Sequence, residues 1–73
     1  MNSVCIHIDE RLHAKDMQKL KKDLMHVPHV THVELNTKNP HDLVVEYEEH
    51  HNMPMIIQHR LHERGLHTDI VSG

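Results

Sequence analysis

The chain begins with apolar residues at every second position. Val4, Ile6 and Ile8 alternate with Cys5 and His7, which is the period of a strand that buries one face. Two later segments resume this strand pattern, and their apolar positions are Val30, Val33 and Leu35 in one and Leu43, Val45 and Tyr47 in the other. Residues 37–42 lie between them and contain Asn, Pro and Asp, so they predict a hairpin loop.

A helical period separates the first two predicted strands. One stripe of this helix is apolar and consists of Leu12, Met17, Leu20 and Leu24. Asp9 is a suitable N-cap if the helix begins early. Pro28 then ends the helix, because a proline disfavours helical backbone at the residue before it.

A second helix follows the third strand. Asn52 is its predicted N-cap, and Pro54 lies in the first turn, where a missing N–H costs no hydrogen bond. Its inward positions are predicted to be Ile57 and Leu61, together with Met53 or Ile56. Gly65 provides the C-terminal stop. A final strand is predicted to turn Leu66 and Ile70 inward.

This order of elements predicts an α+β fold of the ferredoxin-like βαββαβ kind, with two helices on one face of a four-stranded antiparallel sheet. The 73 residues form one domain, residues 1–73, with a modest core. Trp and Phe are absent and Tyr47 is the only aromatic residue. Val, Ile, Leu and Met must therefore fill the core, with Met17 and Met53 as adaptable fillers.

Composition and charge exclude several classes of function. The net charge is −3 and the basic residues are scattered, which argues against nucleic-acid binding. Cys5 is the only cysteine, so neither an intramolecular disulfide nor a CxxC pair exists. Residues 1–25 lack the apolar segment of a secretory signal, and no stretch is long enough to cross a membrane, so we expect a cytoplasmic location. No nucleophile and base are paired, so we expect no enzymatic activity.

Histidine is the most informative residue of the chain. Eleven of the 73 residues are histidine, spread from His7 to His67 among the patterned apolar positions. Histidine is the commonest metal ligand and also titrates near neutral pH. The composition therefore predicts a transition-metal binder, with a pH-responsive surface as the alternative.

The spacing of the core residues resembles that of the heavy-metal-associated domain of copper chaperones and metal-exporting ATPases. The matching positions are Leu24, Val27-Pro28-His29-Val30, Val33-Glu34-Leu35, Val45-Glu46-Tyr47, Ile57, Leu61 and Gly65-Leu66. The resemblance implies a ferredoxin-like fold and a role in metal transport. It also implies a metal-exporting ATPase or a metalloprotein as the partner that accepts the ion.

The first loop departs from the family pattern of glycine-methionine-threonine-cysteine-x-x-cysteine. Aligned from Pro28, the two cysteine positions fall on His13 and Asp16, and Glu10 and Arg11 replace the glycine and the methionine. An imidazole and a carboxylate are harder ligands than thiolates. They favour Zn(II), Ni(II), Co(II) or Cu(II) over the Cu(I) that the thiolates hold.

The βαββαβ path brings the first loop to the same end of the fold as the hairpin loop and the turn into the last strand. The predicted metal ligands are accordingly His13, Asp16, His41 and His67. The alternative for His13 and Asp16 is a solvated helix start, with the carboxylate stabilised by the helix dipole.

The open face of the sheet carries a second group of candidates: Cys5, His7, His32, Glu34, Glu46, His67 and Asp69. We predict His7 and His67 to be cross-strand neighbours there. A polar solvated face is the favoured interpretation of this group. The alternatives are a second metal site with Cys5 as a soft ligand and a surface for self-association through a metal or a carboxylate. Two further groups are interpreted as solvated surface: His26, His29, His50 and His51 in loops, and His59, His62 and Glu63 on the second helix.

The sequence thus leads to two hypotheses. The first is a small cytoplasmic chaperone or buffer that binds a divalent transition metal through histidine and aspartate. The second is a degenerate domain that binds no metal and serves as a protein-interaction or regulatory module. The oligomeric state stays open.

Overall fold

The computed structural model describes residues 2–36 and 38–72, and it confirms the predicted βαββαβ order. The elements are β1 (Asn2–Ile8), α1 (Ala14–Met25), β2 (Val30–Leu35), β3 (Asp42–Tyr47), α2 (Met53–Glu63) and β4 (Thr68–Ser72). Thr37, which the sequence assigns to the hairpin loop, lies outside the described residues. Within the described ranges, neither helix has the length and apolar character needed to cross a bilayer.

The four strands form one antiparallel sheet in the order β2-β3-β1-β4. Strand β1 is therefore central, with β3 on one side and β4 on the other. This register places His7 opposite Asp42 on β3 and opposite Asp69 on β4. The sheet thus brings two carboxylates to the two sides of one histidine.

The hydrophobic core lies between the sheet and the two helices, as the apolar alternation predicts. Val4, Ile6 and Ile8 are at most 1% exposed, whereas Cys5 and His7 between them are only partly buried. Met17 and Met53 are buried as well, which confirms both as core fillers. The buried residues include no polar or charged side chain among those described. All imidazoles in this part of the chain are therefore at or near the surface.

Helix α1 begins at Ala14, so the suggestion of Asp9 as its N-cap is wrong. The backbone N–H of Asp9 donates to the carbonyl of His67 at 2.8 Å, which continues the β1–β4 ladder beyond the last residue of β1. Backbone held in a strand ladder cannot turn into a helix there. The N-cap position is instead His13, whose side chain makes no capping hydrogen bond. Leu12 precedes the helix and packs against the core.

Helix α2 begins and ends where the sequence predicts. Asn52 is at the N-cap position, although its left-handed backbone (φ 60°) carries no side-chain capping bond. Met53 is 1% exposed and Ile56 is 42% exposed, so Met53 is the inward residue of the two alternatives. Gly65 adopts φ +82° just after the helix, and its N–H donates to the carbonyl of His62 at 2.9 Å. Glycine suits this position because left-handed backbone strains residues with a side chain.

The last strand differs from its prediction. Leu66 is buried, but it lies before β4, and Ile70 is 43% exposed although it faces the helix side of the sheet. Ile70 pairs with the buried Ile6 and so shares its side of the sheet. Strand β4 is an edge strand with no strand beyond it, which leaves the outer side of Ile70 open to solvent.

Candidate metal site at the loop end

Three connections meet at one end of the fold, which we call the loop end: residues 9–13 after β1, residues 36 and 38–41 before β3 and residues 64–67 before β4. Backbone hydrogen bonds hold them side by side on the end of β1. The N–H of Ile8 donates to the carbonyl of His41 at 2.8 Å, and that of Asp9 to the carbonyl of His67 at 2.8 Å. The predicted meeting of these connections is thus present in the backbone.

Glu10 and His67 are joined by two hydrogen bonds across the loop end. The His67 backbone N–H donates to Oε1 of Glu10 at 2.7 Å, and Nδ1 of its ring lies 2.5 Å from Oε2. The bond to the His67 side chain lowers the pKa of Glu10, and the bond to Glu10 raises the pKa of His67. His67 is a ligand predicted from the sequence, but Glu10 enters that prediction only as the residue that replaces the glycine of the family pattern. The contact between the two is therefore not predicted.

A second imidazole–carboxylate contact joins β1 to β3. Nδ1 of His7 lies 2.7 Å from Oδ1 of Asp42, its cross-strand partner. The Asp42 side chain is only 16% exposed and that of His7 is 36% exposed, so solvent competes weakly for the contact. On the other side of the ring, Nε2 of His7 lies 3.9 Å from Oδ1 of Asp9.

His41 is fixed against the same strand. Its ring Nδ1 lies 2.8 Å from the carbonyl oxygen of Ile8, while its own carbonyl accepts the Ile8 N–H. This reciprocal pair of bonds brings its ring centroid to 5.4 Å from that of His7, with the planes inclined by 32°. Two imidazoles and the carboxylates of Asp9 and Asp42 thus lie together on the end of β1.

The four predicted ligands do not form one group. His13 is exposed at the start of α1, and Asp16 borders a groove with Arg64 on the helix side of the molecule. His41 bonds to Ile8 and His67 bonds to Glu10, as described above. Across residues 2–36 and 38–72, no set of three or more His, Cys, Asp or Glu side chains stands ready to hold a metal ion.

The open sheet face also differs from its prediction, because His7 and His67 are not cross-strand neighbours. Asp69 is the residue of β4 opposite His7. His67 lies before β4 and is turned to Glu10. Elsewhere on this face, His32 is opposite Glu46 and the partly buried Cys5 is opposite Val44, so the candidates are dispersed along the sheet.

Two further histidine contacts lie away from the loop end. His29 and His50 stack at the opposite end of the fold, with ring centroids 4.0 Å apart and planes inclined by 21°. On helix α2, Nε2 of His59 lies 3.5 Å from Oε1 of Glu63, one helical turn along an exposed face.

Known proteins resemble this chain in structure but not in sequence. No family model matches the chain, and no curated protein matches it in sequence. Solved structures do match. A copper-binding domain of the P-type ATPase HMA7 superposes with a TM-score of 0.85 at 14% identity, over 99% of this chain and 96% of that domain.

Two other solved structures also superpose on this chain. The yeast copper transporter domain Ccc2A gives a TM-score of 0.83 at 13% identity, over 97% of this chain and 96% of that one. The N-terminal domain of PacS from Synechocystis PCC6803 gives 0.80 at 17% identity, over 99% and 100%. The chain has a heavy-metal-associated-like fold. At identities this low, the superposition establishes the fold alone. The chemistry of the site must come from the residues of this chain.

Proposed function

We propose that this protein binds a divalent transition-metal ion reversibly at the loop end and passes it to an acceptor. The observation that carries the proposal is the pair of imidazole–carboxylate contacts there, His7 with Asp42 and His67 with Glu10. Imidazole and carboxylate groups are ligands for Zn(II), Ni(II), Co(II) and Cu(II) rather than for Cu(I). The fold supports the proposal, since the solved domains that share it include a copper-binding domain of a P-type ATPase and a copper transporter domain.

The donors come from the imidazoles and carboxylates near this end, and the sequence names His13, Asp16, His41 and His67 among them. The described residues hold no preformed set of three, so the bound ion keeps open coordination positions. An open position lets a ligand of the acceptor enter before the first ligands leave. This property suits a chaperone or a buffer better than a structural metal site, in which all positions are closed. We further propose a cytoplasmic setting and a metal-exporting ATPase or metalloprotein as the acceptor.

Equilibrium dialysis tests the binding directly. The protein is dialysed against Zn(II), Ni(II), Co(II), Cu(II) and, under reducing conditions, Cu(I), and bound metal is counted per chain. We expect about one divalent ion per chain and weaker retention of Cu(I). An empty protein after all five dialyses, or retention of Cu(I) alone, would contradict the proposal.

A second measurement tests transfer. The loaded protein is mixed with a chromophoric chelator, and the rate of metal loss is followed as the chelator concentration rises. A rate that increases with chelator concentration indicates that the chelator enters an open position. A rate that stays constant indicates a closed site from which the ion must first dissociate.

One observation favours the alternative of a metal-free interaction module. The rings of His7, His41 and His67 each already have an oxygen partner within the protein. These bonds can serve the structure of the loop end without any ion. The dialysis separates the two functions, because the module retains none of the five ions.

A further inference from the structure

His7 and His41 are the two histidines of the loop end whose rings lie next to each other, and they share one feature with His67. Each has its Nδ1 atom held by an oxygen acceptor, the carboxylate of Asp42 at 2.7 Å for His7 and the carbonyl of Ile8 at 2.8 Å for His41. Within residues 2–36 and 38–72, neither Nε2 atom makes a hydrogen bond, and Oδ1 of Asp9 lies 3.9 Å from Nε2 of His7.

These bonds decide which ring nitrogen carries the proton. A backbone carbonyl can only accept a hydrogen bond, so Nδ1 of His41 must donate to Ile8. An ionised carboxylate is likewise only an acceptor, so Nδ1 of His7 donates to Asp42. A neutral imidazole has one N–H, which leaves a free lone pair on Nε2 of both rings.

This arrangement is that of a histidine prepared to bind a metal. A metal-ligating histidine characteristically donates its other ring N–H to a carboxylate or a backbone carbonyl, which fixes its tautomer and orientation. We propose that His7 and His41 are the metal-binding pair of this protein and that both bind the same divalent transition-metal ion through Nε2, at the edge of the open sheet face. The inference rests on the proposed function and names the ligands of its site.

The spacing of the two rings allows one ion to reach both. An ion about 2 Å from Nε2 lies about 3 Å from the centroid of that ring, so centroids up to about 6 Å apart can share it. The observed separation is 5.4 Å. The two rings are therefore close enough for both to bind one ion.

Asp9 is the third donor of this site. Two ligand atoms on a tetrahedral metal lie about 3.3 Å apart, and Oδ1 of Asp9 is 3.9 Å from Nε2 of His7. The Asp9 side chain is 57% exposed, so a small rotation closes the difference without disturbing the core. Asp42 and Asp69 flank His7 from the two neighbouring strands, and their charge favours a cation at this position.

Nuclear magnetic resonance of the unmodified protein provides the decisive experiment. Long-range ¹H–¹⁵N spectra of the metal-free, ¹⁵N-labelled protein should show His7 and His41 as Nδ1–H tautomers. Titration with Zn(II) should then shift the Nε2 resonances of these two rings. Because no residue is changed, the result does not depend on a variant folding.

The other outcomes separate this inference from the proposed function. If Zn(II) binds and shifts the rings of His13 or His67 but not those of His7 and His41, the inference is overturned while the proposed function stands. If Zn(II), Ni(II), Co(II) and Cu(II) all fail to bind, both are overturned.

Variants provide an independent check by isothermal titration with Zn(II). We expect His7→Gln and His41→Gln each to weaken binding by about tenfold or more, and Asp42→Asn to weaken it by about tenfold although it removes no ligand. His32→Gln is the matched control, because His32 is exposed on the neighbouring part of the same sheet. Unchanged affinity in both His7→Gln and His41→Gln overturns the inference.

Discussion

The two ends of the fold contain histidines in different surroundings. At the loop end, three imidazoles are bonded to oxygen atoms of Asp42, Ile8 and Glu10. At the opposite end, His29 and His50 stack on each other. A ring bonded through Nδ1 has a fixed tautomer and a defined free nitrogen, which a ring held only by stacking lacks. The oxygen partners of the imidazoles, rather than the number of histidines, therefore distinguish the candidate site.

The backbone differs between the ends as well. The loop end has glycine, Gly65, at its left-handed position with φ +82°. The opposite end has His29 at φ +72° and Asn52 at φ 60°. A side chain in left-handed backbone costs about 1–2 kcal/mol, although asparagine and histidine adopt it more readily than most residues. The opposite end thus bears a conformational cost that the loop end avoids.

The largest expected difference between the ends is in metal affinity. The double variant His7→Gln/His41→Gln should weaken Zn(II) binding by about a hundredfold, or about 2.7 kcal/mol, because it removes both fixed nitrogens. The double variant His29→Gln/His50→Gln should keep the affinity within about twofold, since its stacked rings have no oxygen partner to orient them. Isothermal titration of both variants measures the difference. Equal losses of Zn(II) affinity in the two double variants would show that the oxygen partners do not determine which histidines bind the ion.

The next effect concerns Gly65. Gly65→Ala should lower the free energy of unfolding by about 1 kcal/mol, because the alanine must adopt left-handed backbone. A Cβ atom at this position would meet nothing within 4 Å, so the cost comes from the backbone and not from a clash. Urea unfolding followed by circular dichroism measures the change. An unaltered midpoint would indicate that the turn before β4 relaxes to another conformation.

At the opposite end, replacing a residue in left-handed backbone by glycine should raise the free energy of unfolding. His29→Gly should raise the free energy of unfolding by about 0.5 kcal/mol, as glycine relieves the left-handed strain but gains entropy in the unfolded chain. Asn52→Gly is the matched control and should change stability less, because asparagine tolerates this backbone. If His29→Gly is destabilising in urea unfolding, the stacking of His29 on His50 outweighs the strain.

The smallest effect is a change of titration at the Glu10–His67 pair. The pKa of His67 should lie above the ordinary value of 6.5, and Glu10→Gln should bring it back toward that value. NMR titration of the His67 ring measures both. The control Glu63→Gln removes a carboxylate that contacts His59 instead, and it should leave the titration of His67 unchanged.

The same pair gives a pH dependence of stability whose sign follows from the two shifts. Its stabilisation is fully present between the ordinary pKa values, 4.5 for glutamate and 6.5 for histidine. It is lost as pH rises through the raised pKa of His67 and as pH falls through the lowered pKa of Glu10. The His67 side chain is 78% exposed and the Glu10 side chain is 33% exposed, so solvent screens the pair and the effect is small. A stability difference between the intact protein and Glu10→Gln that does not vary between pH 4 and pH 8 would contradict this assignment.

Much of the fold follows from local patterns in the sequence. The alternation of Val4, Ile6 and Ile8 identifies β1, and the position of Gly65 identifies the end of α2, because both depend on neighbouring residues alone. The start of α1 and the exposure of Ile70 do not follow in this way. The first depends on a ladder bond between Asp9 and His67, and the second depends on β4 being at the edge of the sheet.

Less of the candidate site than of the fold can be predicted from the sequence. Its histidine content and the end of the fold at which three connections meet are both predictable. The partners of those histidines are not, since Glu10 and His67 are 57 residues apart, and His7 and Asp42 are 35 residues apart. A fixed register of β1 against β3 would have identified the second pair, but no short-range signal specifies that register.

The order of the elements, the apolar core and the supply of imidazole and carboxylate groups all follow from the sequence, because periodicity and composition are local properties. Which imidazoles have their Nδ1 atoms bonded, and which nitrogen is left free, is set by the folded chain. That choice depends on strand register and on loops brought together across the fold. Hydrogen bonds act only at distances of about 3 Å, so only the folded chain can assign them.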